Sequence, residues 1–425
     1  MVTGSGTSDV DTLRPAPEAR AAKAVATGGE PPRWKIWLAA WPVTGVFVLS
    51  NMPTPLYPLW KQRMGFSAGT MTVIFACYIV GLLAALMVAG RLSDRIGRKP
   101  VLLPGLLLAV AACVTFATAT SVPELAVARL LTGIAIGITV SAGMAAVVDM
   151  GGASRVRQAT LAASTAMVLG AGLGPLSAGL LSQALPGPTV TIFLVEIVLL
   201  LSAVAVVLWL PLSRPGTDTG GGWLRLPSVP PRNRVQVALG IAVFAPGITS
   251  TSFVLSLGPS LLADLLATDS RLVAGGMAFV MFAAATGVQF AARRLGVRSV
   301  LLGGSVSTVV SMAALILAVH VQSATWLIVA AVLAGAAQGL GQFGGLSLIG
   351  VAVPPHRRAE ANAALNVGGY VPAALLPVTA GYLGDAVGLT ASSTIFGVVM
   401  IVMAAVGAAF VGTRGRERMN AAPQE

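Results

Sequence analysis

The chain has 425 residues, 56% of them hydrophobic and only 10% charged, with a mean hydropathy of +0.85. An ordinary soluble domain carries about a quarter charged residues, so that class is excluded. The formal net charge of +12 does not point to nucleic acid, because the cations are sorted by position along the chain rather than gathered into one patch.

Residues 1–35 are polar and rich in Gly, Ala and Pro, without the short apolar core of a signal peptide, and predict a disordered tail. A first apolar span follows from about Ile36 to Trp60, anchored by Trp34, Lys35, Trp37 and Trp41. Its far end, Asn51-Met52-Pro53-Thr54-Pro55-Leu56-Tyr57-Pro58, holds three prolines in six residues. Proline removes a backbone donor, so a broken helix end beside a pathway is expected, where neighbours can satisfy the freed groups. The second and third spans run over about 70–89 and 100–120, each near the roughly 20 residues that cross a bilayer. Further spans are expected at about 124–149, 158–184 and 189–210. A polar linker, 212–234, precedes six more spans at about 235–263, 272–292, 299–319, 325–352, 360–384 and 388–412, and 413–425 forms a polar tail. Of 27 lysines and arginines, only Lys61, Arg63 and Arg271 fall at one set of span ends and Arg129 lies inside a span. The others gather at the opposite ends, which places both termini and the linker in the cytoplasm.

The two halves repeat. Gly133 and Gly137 correspond to Gly335 and Gly339, and Pro175 and Gly179 to Pro377 and Gly381, at an offset of about 202. Duplicated six-helix halves with a ligand site between them are a transporter plan. The fold class read from this pattern is an all-α integral membrane protein: twelve transmembrane helices in two six-helix bundles, 36–211 and 235–412, related by internal repeat.

Between the second and third spans lies Gly90-Arg91-Leu92-Ser93-Asp94-Arg95-Ile96-Gly97-Arg98-Lys99, expected to be a tight charged hairpin. Gly90 and Gly97 allow close approach and positive φ. Asp94 suits a helix N-terminus, and Arg98 offers a bidentate fork. The order resembles the loop signature of the major facilitator superfamily, G-x-x-x-D-R-x-G-R-[RK], in full. The second copy, Arg293-Arg294-Leu295-Gly296-Val297-Arg298, lacks the aspartate. The resemblance implies alternating access by rocking of two bundles and a conformational latch of Gly90, Asp94, Arg95, Gly97, Arg98 and Asp149. In it Asp94 would meet the start of the eleventh span near Glu360–Ala361, and Arg98 would pair with Asp149.

Gly170-x-x-x-Gly174-Pro175-x-x-x-Gly179 resembles the fifth-span motif of the drug:proton antiporter branch, which favours export. Small residues at this spacing also serve close helix packing in general. Arg129, heading Arg129-x-x-x-Gly133, resembles the arginine implicated in proton transfer in related exporters. A charge inside a span is costly and marks function, unless it snorkels to the interface. Glu196 is the most deeply placed acid, either a proton carrier or a structural group. The two charges are expected to pair, since an unpaired charge at that depth is expensive. Asn51, Phe75, Tyr78, Phe244, Phe253, Gln289, Gln338, Gln342, Phe343, Asn362, Asn366 and Tyr370 are candidates for an apolar, aromatic substrate cavity with a few amides.

Cys77 and Cys113 fall inside spans, His320 and His356 near span ends, and no lysine follows Lys99. No catalytic residues, cofactor, metal or ATP site is therefore expected. The reading is a monomeric secondary transporter of the cell membrane that exports small lipophilic compounds against protons, with no nucleic-acid partner and no enzymatic activity. The alternatives are an importer or facilitator of a small metabolite, and a non-transporting membrane sensor or scaffold.

Overall fold

A computed structural model describes residues 32–152, 154–212, 229, 233–265, 267, 270–354 and 357–418. Most of the expected N-terminal tail, nearly all of the linker, His356 and the end of the C-terminal tail lie outside the described residues. Twelve helices among these residues are long and apolar enough to cross a membrane: α1 Arg33–Met64, α2 Ala68–Ile96, α3 Arg98–Thr118, α4 Val122–Gly151, α5 Val156–Ala184, α6 Pro188–Trp209, α7 Arg234–Ala263, α8 Arg271–Ala292, α9 Val297–Val321, α10 Ala324–Ala352, α11 Glu360–Val387 and α12 Leu389–Thr413.

The charged stretch between α2 and α3 is not a loop. Helix α2 continues through the motif to Ile96, α3 begins at Arg98, and Gly97 alone turns the chain at φ 100°. The expected hairpin is corrected to two abutting helix ends. The apolar count set its limits too narrowly, because arginines are good helix formers and the helix runs on past the hydrophobic layer. By contrast, α1 breaks where its prolines fall. A helix ends at Asn51, a short tight turn covers Thr54–Leu56, and a second helix runs Tyr57–Met64. Every residue from Asn51 to Tyr57 is buried, so this is an internal break and not fraying at a surface.

Packing repeats between the halves. Pairs α2/α4, α3/α4, α1/α5, α3/α6 and α1/α6 in the first half match α8/α10, α9/α10, α7/α11, α9/α12 and α7/α12 in the second. Lipid offers no hydrophobic drive between helices, so close backbone approach at small residues carries the packing. A Cβ on Gly133 would lie 2.0 Å from the Tyr78 carbonyl oxygen, and one on Gly335 would lie 2.0 Å from that of Met281. The repeated glycines thus seat α4 on α2 and α10 on α8. Gly174 seats α5 on α1 in the same way, 2.0 Å from the Val48 carbonyl oxygen. Between the halves, α5 packs on α8 and α2 on α11.

Candidate functional site: a cavity between the halves and its buried arginine

The break in α1 explains where the chain puts its most deeply buried cation. The last carbonyls of a helix lack intrahelical donors, and Ser50 is next to the last residue before the break. Arg129 of α4, fully buried, donates from Nη1 to the Ser50 carbonyl at 2.7 Å and from Nε to the Tyr57 hydroxyl just past the break. Its guanidinium carbon sits 5.2, 5.4 and 5.9 Å from the ring centres of Tyr57, Phe75 and Phe116. A cation at a helix C-terminus is stabilised by the dipole, and aromatic faces add to that. Nη2 has no hydrogen-bond partner. Snorkelling is therefore not what Arg129 does.

Behind this arginine, Trp60, Phe116 and Phe193 stack on one another at centroid distances of 5.0–6.2 Å. Glu196 lies one turn beyond Phe193 on α6, 1% exposed, with Oε1 unpartnered. Among the described residues no salt bridge joins it to Arg129, so the expected pair is corrected. Backbone carbonyl, phenol and ring faces engage the arginine, with Nη2 left over, and the buried aromatic stack fills the interior on the α6 side. Glu196 belongs to the interior of the first half and is not among the residues that line the central cavity.

That cavity lies between the halves and is lined from both of them. Asn51, Phe75, Tyr78, Gln289, Gln338, Gln342 and Tyr370 all face it. The other five candidates do not line it. Phe244 lies edge-on behind Tyr370, Phe253 stacks on Phe396 of α12 at 4.2 Å, and Phe343 packs against the contact of α8, α9 and α10. Asn362 and Asn366 sit two turns and one turn before Tyr370 on its helical face, beyond the cavity's edge. Sequence reasoning missed Ser50, Phe47, Met167, Thr251, Ser252, Phe282 and Thr286. Only their facing direction marks them, and single small or apolar residues in a span carry no such signal.

The two ends of the molecule differ. At the end carrying Gly97, here the basic face, Arg98 donates to Asp149 (2.8 Å), Asp94 (2.7 Å) and Ser93 (2.9 Å). Asp94 is thus engaged within its own half, and Glu360 at the start of α11 is held by Arg357 at 3.0 Å. Among the described residues no hydrogen bond or ion pair joins Asp94 to α11, because both carboxylates have nearer cations. Arg95 also interacts, whereas Gly90 has room, its nearest would-be neighbour lying 4.0 Å away. At the opposite face the halves clasp each other. Asp385, near the end of α11, accepts from the Ala68 and Gly69 backbone N–H groups at the start of α2, each at 2.9 Å. Arg271 at the start of α8 donates to the Ser182 carbonyl of α5 at 2.9 Å, and Gln183 donates to Ser270 at 3.0 Å. The repeated glycines permit this approach. A Cβ on Gly179 would lie 2.5 Å from the Arg271 carbonyl oxygen, and one on Gly381 2.5 Å from Thr72 Oγ1.

A profile described as Major Facilitator Superfamily matches residues 43–293 and again 237–425. The chain belongs to the Major Facilitator Superfamily. With its twelve membrane-length helices it is a multi-pass membrane protein of that superfamily. Among curated members it is similar to multidrug resistance protein MdtL of Klebsiella pneumoniae (strain 342), 35% identical over 80 residues, which are 19% of this chain and 20% of that one. It is also similar to multidrug resistance protein MdtM of Salmonella typhimurium, 32% identical over 100 residues, 24% of each chain. The matched region therefore spans about a fifth to a quarter of these superfamily relatives. Solved structures agree in fold. A point mutant of the nucleoside transporter NupG superposes with TM-score 0.71 at 12% identity, covering 88% of this chain and 99% of that one. A bacterial homologue of the human lysosomal transporter Spinster, inward-facing and unoccupied, gives 0.67 at 15% identity, covering 92% and 98%.

Proposed function

We propose that this superfamily member is a proton-coupled exporter of small lipophilic compounds that works by alternating access. It would act as a monomer in the plasma membrane, with both termini and the basic face in the cytoplasm. The observation that carries the reading is the central cavity. It is mainly apolar and aromatic with a few amides, it is lined by both halves, and it is closed at the far face by the Asp385 and Arg271 clasps. With that face sealed, substrate enters from the basic side, and rocking of the halves releases it on the other. The multidrug names of the partial relatives and the Gly174-Pro175 motif seated on α1 support export. For coupling, Arg129 is a cation directly behind the cavity wall, since Ser50 and Phe75 are both its neighbours and cavity residues. Glu196 is the buried carboxylic acid of this half among the described residues. Residues 36–211 and 235–412 act as the two moving bodies, with Arg98, Asp94 and Asp149 as the latch at the basic face.

The test is efflux of an uncharged lipophilic dye such as Nile red from a pump-deficient bacterial host expressing the chain, with and without an uncoupler. The expected result is expression-dependent efflux that stops when the proton gradient collapses. Accumulation identical to that in empty-vector cells rules out export, and efflux indifferent to the uncoupler rules out the coupling.

A further inference from the structure

We propose that the central cavity selects uncharged compounds that carry a hydrogen-bond donor and excludes cations of the same shape. The inference rests on the cavity being the substrate site of the transporter reading above, and it names the class of substrate that site takes.

Three observations converge. First, none of the described residues lining the cavity is Asp, Glu, Lys, Arg or His; its polarity comes from hydroxyls and from the amides of Asn51, Gln289, Gln338 and Gln342. A cation entering it leaves water without meeting a carboxylate, and an unpaired buried charge is among the costliest states a protein interior can hold. Second, a positive charge already stands one side chain behind the wall. Arg129 touches the Ser50 carbonyl and the ring of Phe75, and Ser50 and Phe75 line the cavity. Among the described residues no carboxylate neutralises it: its partners are a carbonyl, a phenol and ring faces. In a low-dielectric surround two like charges at such separations repel strongly. Aromatic walls can hold a quaternary ammonium by cation–π attraction, but the Phe75 ring already has the Arg129 guanidinium beside it. Third, one residue of the lining carries an acceptor with nothing to accept. Gln338 Oε1 is buried and has no hydrogen-bond partner. A buried acceptor left unsatisfied costs free energy, and turning the Gln338 amide toward the cavity to meet a ligand O–H or N–H removes that cost.

The experiment is calorimetric titration of the purified full-length protein in detergent, with protein-free micelles as the blank, using three ligands of nearly one shape. These are para-tert-butylphenol, its cationic counterpart (para-hydroxyphenyl)trimethylammonium, which differs by nitrogen for one carbon, and para-tert-butylanisole, whose ether oxygen cannot donate. The phenol is expected to bind at least about tenfold more tightly than the cation, since the cation is desolvated without a counter-charge. It should also bind several-fold more tightly than the anisole. Gln338→Glu, an isosteric change that supplies a carboxylate, should bring the cation to or above the phenol. Gln342→Glu serves the same purpose if the first variant does not fold. Wild-type protein that binds the cation as tightly as the phenol, or that binds none of the three, overturns the inference. Equal binding of phenol and anisole removes the donor requirement. A protein that pumps cations in cells keeps the transporter reading and loses this one. A protein with the binding preference but without uncoupler-sensitive efflux does the reverse.

Discussion

Arg129 has the most consequential surroundings in the chain. A buried guanidinium normally needs a carboxylate, because removing an ion from water costs several kcal/mol. Here a broken helix supplies the compensation instead. The Ser50 carbonyl and the Tyr57 hydroxyl flank the break, and three rings surround the charge. Because Glu196 is not its partner, the two residues should behave independently. Arg129→Gln is expected to cost about 2 kcal/mol, as it leaves the Ser50 carbonyl without its charged donor. Glu196→Gln, an isosteric change at an unpartnered oxygen, should cost less than about 1 kcal/mol. The double mutant should equal their sum to within about 0.5 kcal/mol. Denaturation of the four purified proteins in mixed micelles measures this. A double mutant more stable than the Arg129→Gln single mutant would show that the two charges do interact.

At the level of helices, the fold depends on where a methyl group cannot fit. Gly133 and Gly335 occupy equivalent places in α4 and α10, and each would drive a Cβ to 2.0 Å from a carbonyl oxygen of the neighbouring helix. Backbone cannot move aside as a flexible side chain can, so Gly335→Ala should destabilise by about 1–3 kcal/mol, the usual cost of overpacking. Gly287, in α8, has open space where a methyl group would stand, with nothing within 4 Å. Gly287→Ala should therefore be neutral or stabilise by up to about 1 kcal/mol, through helix propensity alone. Thermal unfolding of the two variants side by side separates these cases. Equal loss in both would mean that the glycines matter for backbone freedom and not for close approach.

For the whole molecule, the decisive feature is that the halves are clasped at one face. The carboxylate of Asp385 takes two backbone N–H groups at the start of α2, where the helix dipole also favours an anion. Because Asp385 is exposed, this contact contributes about 1 kcal/mol or less, enough to shift a two-state equilibrium several-fold without fixing it. Asp385→Asn keeps the shape and loses the charge. It should increase the population with the far face open. Spin labels at Gln62 and Ala263, which line a pocket between the halves at that face, should report a longer distance in the variant. An unchanged distance distribution would show that Arg271 and the close glycine contacts hold the face shut without Asp385.

Span count, duplication and family are all legible in the linear order of residues. Apolar run length, the sorting of cations and glycine spacing are one-dimensional records of a membrane, and each survives without knowledge of contacts. The proline break in α1 and Arg129 also stand out in the sequence, because both violate local rules for a membrane helix. What those violations serve is settled by packing: the break presents a carbonyl to the arginine, across 79 residues of chain. Depth along a span can be counted, but facing direction cannot. Arg129 and Glu196 are alike in depth yet point into different surroundings, and Phe253 and Tyr370 are alike in type yet only Tyr370 lines the cavity. The contact of Asp94 is a further case. Its partner here is Arg98 of its own half, and under the alternating-access proposal a second arrangement of the halves would change that partner, which the order of residues alone does not record.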